Sequence, residues 1–165
     1  MRMIATLIMV AALGTALADL AVAVPAVPGA IGFGANATGG RGGDVYHVTT
    51  LANDPAHAIP GSLFYGLYYK NVPVGGRTIV FDVGGTIDLS QGTSATLDLK
   101  DIRRVTVAGQ TAPSLITFIG NTVQITGNTV ATPTHDIVFQ HVAIRKGLGD
   151  GADALSIKGT GNTHD

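Results

Sequence analysis

Cysteine and glutamate are absent from this 165-residue chain, and charge of either sign is scarce. Without cysteine there is no disulfide scaffold, no zinc-thiolate site and no thiol nucleophile. Only 13% of residues are charged, about half the share of an ordinary soluble domain. All eleven acids are aspartate. Missing Glu and sparse Lys and Arg remove most of the good helix formers. Ten Lys and Arg against those eleven acids leave a net charge of −1, which excludes the basic footprint of a nucleic-acid binder. Aromatics make up 5%. What is present is 45% apolar, too much for disorder. Its 23 glycines, with abundant Thr and Val, point to many short strands joined by Gly-rich turns.

The first residues read as an address. Met1-Arg2-Met3 gives a positive start, an apolar run follows from Ile4 to Leu17, and small-x-small sites end at Ala18 and Ala23. That layout is a secretory signal peptide, residues 1–23 at the longest. The run is shorter than the roughly 18–20 residues a spanning helix needs, so no membrane anchor is expected in the mature form. The mature chain is expected in an extracellular or periplasmic space, where disulfides are permitted but unused.

Residues 24–76 form a Gly-rich cap with one short helix. Gly32-Phe33-Gly34-Ala35-Asn36-Ala37 fits a loose dinucleotide fingerprint, but prolines stand where the strand should be and glycines where the helix should run. Ser62 is a fitting N-cap for a helix to about Tyr69, with Leu63 and Leu67 on one face. The cluster Phe64, Tyr65, Tyr68 and Tyr69 reads as cap packing, with a sugar-stacking platform as the alternative.

From Arg77 the pattern changes. Short β-branched runs recur at Thr78–Val83, Thr86–Leu89, Arg104–Ala108, Leu115–Ile119, Thr122–Thr126, Asp136–Arg145 and Ala154–Lys158. Thr134-His135-Asp136 returns 29 residues later as Thr163-His164-Asp165. Ile79 to Val105 is 26 residues and Val105 to Ile137 is 32. Periods of this size, with no helices between the strands, predict coils of a parallel β-helix over 77–165. The fold class is therefore all-β, a solenoid with a short N-terminal capping helix.

Three groups of motifs sharpen this reading. Pro28–Gly34, Thr38–Gly43 and Pro60-Gly61-Ser62-Leu63 come first. Arg77–Ile87 and Val105–Pro113 follow, and Ile144-Arg145, Gly149-Asp150 and Asp153–Ile157 close the series. In this order they resemble the N-terminal portion of secreted pectate lyases, which have a right-handed parallel β-helix. The resemblance implies calcium-dependent β-elimination of an acidic polysaccharide, polygalacturonate. It further implies that the chain is truncated after the first coils and inactive alone, the catalytic arginine lying on coils beyond Asp165.

A uronate C5 proton lies beside a carboxylate, and a metal that neutralises this carboxylate makes the proton removable. Ca²⁺ takes about 6–8 oxygen ligands, so clustered carboxylates are required. The resemblance carries Asp153, heading its Asp-Ala-hydrophobic strand, over as a calcium ligand. Asp150 is either a second ligand or a turn aspartate bonded to its own backbone. Arg145 and Lys146 are candidates for a substrate carboxylate, Arg145 through a bidentate pair, or are a solvated strand end. His141 is expected mid-strand and stacked. His47, His57, His135 and His164 lack metal-ligand spacing. Two other classes fit the solenoid: a non-catalytic polysaccharide-binding or adhesin module, and a polygalacturonase-type hydrolase. The hydrolase would need paired aspartates, and no Asp-Asp pair occurs.

Overall fold

The computed structural model describes residues 24–93, 95–127, 133–147, 151–159 and 163–164. The leader and Asp150 lie outside the described residues. The strands are β1 (Asp44–Val48), β2 (Arg77–Phe81), β3 (Thr86–Asp88), β4 (Leu97–Lys100), β5 (Arg103–Ala108), β6 (Ile116–Ile119), β7 (Val123–Gly127), β8 (Thr134–Gln140), β9 (Val142–Arg145), β10 (Leu155–Gly159) and β11 (Thr163–His164). One α-helix, α1 (Leu63–Leu67), lies between β1 and β2.

Every strand pairing is parallel. One sheet runs β1-β2-β5-β8-β11, a second β3-β6-β9 and a third β4-β7-β10. Each coil thus gives one strand to each sheet, as the recurring runs predict, and three coils are complete. Thr134 pairs with Thr163 and His135 with His164, so the repeated tripeptide marks one position on adjacent coils. The register corrects one spacing: Ile79 pairs with Val107, not Val105, which makes that coil 28 residues long.

Alternation along each strand sends apolar side chains inward, where they stack in columns. Ile87, Phe118 and Ile144 form one column; Leu99, Ile125 and Ile157 form another. Leu97 and Leu99 are buried, and β4 is a strand that the run pattern above does not include. Its Asp98 and Lys100 face outward, leaving only two apolar residues as a signal.

The 136–145 run is two strands, not one. The chain turns at His141, which has a left-handed backbone (φ 51°) and is exposed. This corrects its expected mid-strand place: the residue forms a corner between sheets. A second left-handed step precedes the inward part of the first sheet on successive coils, at Gly76 (φ 93°), Arg104 (φ 57°) and Asp136 (φ 55°). At Gly76 a side chain would also run into the Arg104 carbonyl, so glycine is needed there twice over.

The cap closes the first coil. Ser62 Oγ accepts from Tyr65 N at 3.0 Å and donates to Asp54 Oδ2 at 2.9 Å. Asp54 also accepts from Ala58 N at 3.0 Å and Ile59 N at 2.8 Å. Burial pushes the Asp54 carboxyl up, but these donors outweigh it and hold it below the usual carboxylate value. Helix α1 ends at Leu67, two residues before the expected Tyr69, because Tyr68 turns extended. Leu63, Phe64 and Leu67 are buried against the core. Arg77 enters this end with its guanidinium 2.9 and 2.7 Å from the two Asp44 oxygens, 3.0 Å from Gly66 O and 5.0 Å from the Tyr46 ring centre. A bidentate pair with a third acceptor satisfies a cation that is almost fully buried.

The Gly-rich arm before β1 runs along the outside of the first sheet. Thr38 N donates to Asp136 Oδ1 at 2.6 Å, and Gly40 N to Thr106 Oγ1 at 2.9 Å. Phe33–Asn36 forms a 3-10 turn there, not the strand-to-helix junction that a dinucleotide site requires.

Candidate functional site

The outer face of sheet β4-β7-β10 carries ladders of polar side chains. Asp98 aligns with Gln124 and Ser156, and Lys100 with Thr126 and Lys158. Parallel in-register coils create these ladders, because one outward position repeats at each strand spacing of about 4.8 Å. Where these strands begin, a cleft of about 240 Å³ is lined by Thr96, Asn121, Thr122, Gln124, Asp153 and Ser156, among others. Its lining is hydroxyl, amide, carboxylate and ammonium, the donor and acceptor set that sugar hydroxyls and carboxylates require.

Asp153 is exposed in this cleft. Its position is fixed through the backbone: Thr122 Oγ1 donates to Asp153 O at 2.8 Å, and Val123 N donates to Ala154 O at 2.9 Å. The carboxylate is left facing solvent while its main chain is held on the preceding coil. Lys146 Nζ donates to Ala152 O at 3.1 Å, which brings Lys146 beside Asp153. Arg145 ends β9, is exposed, and pairs with Ile119 in the neighbouring sheet. It does not line the Asp153 cleft.

Among the described residues no group of three or more His, Asp, Glu or Cys converges as a metal site. The cleft offers one described carboxylate, while the Ala152 and Asp153 carbonyls already accept hydrogen bonds. These residues alone do not make a calcium cage. Other polar side chains have structural roles. Gln110 Nε2 donates to Gln140 Oε1 at 2.9 Å, an amide step between coils. Asn121 Oδ1 accepts from Thr122 N at 2.7 Å, as a turn asparagine does. His47 Nδ1 lies 2.9 Å from Asp82 on the surface and His135 Nδ1 2.8 Å from Asp136. Sequence reading missed Thr96, Gln124 and Ser156, since their meeting depends on coil lengths that no local motif encodes.

A three-sheet parallel β-solenoid with a polar ladder and one exposed aspartate on its third sheet is the class that these features define. No family model matches the chain. It is 39% identical over 145 residues to the probable pectate lyase C of Aspergillus fumigatus, covering 86% of this chain and 30% of that protein. It is 39% identical over 138 residues to the corresponding protein of Aspergillus terreus, covering 82% of this chain and 28% of the relative. A 37-residue stretch is 51% identical to pectate lyase 1 of Cryptomeria japonica. The chain is thus similar to proteins named as pectate lyases and spans about three tenths of the length of the fungal relatives.

Proposed function

We propose that this chain is the polysaccharide-handling first part of a secreted, calcium-dependent pectate lyase. The substrate is polygalacturonate and the reaction β-elimination. A base removes the C5 proton, the electron pair forms the C4–C5 double bond, and the 4-O-glycosidic bond breaks with its oxygen protonated. Calcium, when bound, would neutralise the uronate carboxylate and so acidify C5. Asp153 is the described residue placed to contribute a ligand, with Asp150 the second carboxylate implied by the resemblance. Lys146, beside Asp153, is the cation that would meet a further uronate carboxylate, while Arg145 lies on the neighbouring sheet and outside this cleft. No residue described here is assigned as the base.

The observation that carries this reading is Asp153, held by its backbone on the preceding coil and exposed at the head of β10 in a cleft of sugar-binding chemistry. The test is calorimetric titration of the 165-residue chain with tetragalacturonate, with and without calcium chloride. Binding is expected with calcium only, and Asp153→Ala should weaken it at least tenfold. Equal binding without calcium, or an unaffected variant, would overturn the assignment.

A further inference from the structure

A second cleft, about 220 Å³, opens on the outer face of the same sheet at its cap end. It is lined by His57, Leu67, Tyr68, Tyr69, Asp98 and Lys100. Three observations set it apart from simple cap packing. Tyr69 is 48% exposed, meets Tyr68 edge to face at 4.9 Å and has Lys70 Nζ 5.7 Å from its ring centre, so the cleft wall carries a half-exposed aromatic ring. His57 stacks on Tyr68 at 4.3 Å, and its Nδ1 lies 2.9 Å from Phe64 O. Since a carbonyl only accepts, Nδ1 carries the proton there, leaving a neutral ring's Nε2 as an acceptor. Asp98 Oδ1 is buried and has no hydrogen-bond partner, although its residue lines the cleft. A carboxylate oxygen left so is destabilised until a donor reaches it, and its soft terminal torsion lets it turn toward one.

We propose that this cleft is a distal sugar subsite, holding a pyranose residue of the same polysaccharide that Asp153 meets. The sugar's apolar face stacks on Tyr69, its hydroxyls donate to Asp98 and His57, and a carboxylate on the outer edge meets Lys100. The reading rests on the proposed function, because continuity with the Asp153 cleft identifies the occupant. Asp98, Gln124 and Ser156 form one ladder, and Gln124 and Ser156 line the other cleft. The strands bearing Asp98 and Ser156 are two spacings apart, about 10 Å, within reach of one oligosaccharide lying along the solenoid axis.

The test compares digalacturonate with hexagalacturonate, titrated into the 165-residue chain in calcium. Tyr69→Ala and Asp98→Asn should each weaken hexagalacturonate about three- to tenfold and leave digalacturonate unchanged. Tyr69→Phe should keep the hexamer affinity. Circular dichroism melts confirm that the variants are folded. Unchanged hexamer binding in both variants would overturn the subsite and leave the Asp153 assignment standing. Equal losses on both saccharides would overturn it too, as a general effect on the fold. If calcium binds without saccharide and Asp98→Asn abolishes this, the orphan oxygen belongs to a cation and the subsite falls. If the unaltered chain binds neither saccharide, the proposed function fails and takes the subsite with it.

Discussion

The inward columns of the solenoid change character along their length. At the cap end Ile87, Leu97 and Leu99 are fully enclosed, with α1 and the Asp54–Ser62 network closing the same end of the core. In the third coil the residues aligned with Leu97 and Leu99 are Leu155 and Ile157, 46% and 66% exposed. The chemistry of the columns is the same at both ends. What differs is the layer on the far side: a side chain in a solenoid is buried by the next coil rather than by its own. Among the described residues, the core is most fully enclosed between the cap and the second coil, while the candidate site lies toward the third.

The widest gap should appear within a single column. Leu99→Ala should destabilise by about 2–5 kcal/mol, since it empties an enclosed position. Ile157→Ala, two coils along, should stay within about 0.5 kcal/mol, as surface changes do. Chemical denaturation of the two variants checks this, and equal losses would refute the graded core. A smaller effect probes the cap chemistry. Asp54 is held below its ordinary value in the folded state, so it contributes stability at and above the unfolded value of about 3.9, lost as pH falls through the folded value. Asp54→Asn should destabilise by about 1–3 kcal/mol at neutral pH. Its deficit relative to the unaltered chain should shrink as acid protonates the native carboxyl. A deficit constant down to pH 2 would assign the effect to packing instead.

Much of this architecture was legible in the residues. The β-branched runs located eight of the strands, with β8 and β9 joined in one run, and the repeated Thr-His-Asp marked a true in-register position. Three features were hidden for physical reasons. Strand β4 shows only Leu97 and Leu99 as apolar signal because its other side chains belong to the outer ladder. The corner at His141 is turned by a non-glycine residue in left-handed backbone, so nothing in the composition breaks the run. The pairing of Ile79 with Val107 depends on loop lengths, which set coil size without leaving a periodic trace. The site was legible to a smaller degree. Asp153 came from resemblance, and the structure places it in a polar cleft with Lys146 close by. The residues that share its cleft come from three coils. Arg145, expected beside Lys146 as a substrate cation, ends on the neighbouring sheet, because the sequence gives adjacency but not which side of a corner each side chain takes.

The central claim is that the outer face of sheet β4-β7-β10 receives polygalacturonate. Amide hydrogen exchange of the 165-residue chain, with and without hexagalacturonate in calcium, tests this most directly. Exchange reads local opening along each strand. The account predicts added protection in residues 96–100, 121–127 and 152–159, with β3, β6 and β9 unchanged. Protection centred on β3, β6 and β9, or none on any sheet, would contradict it.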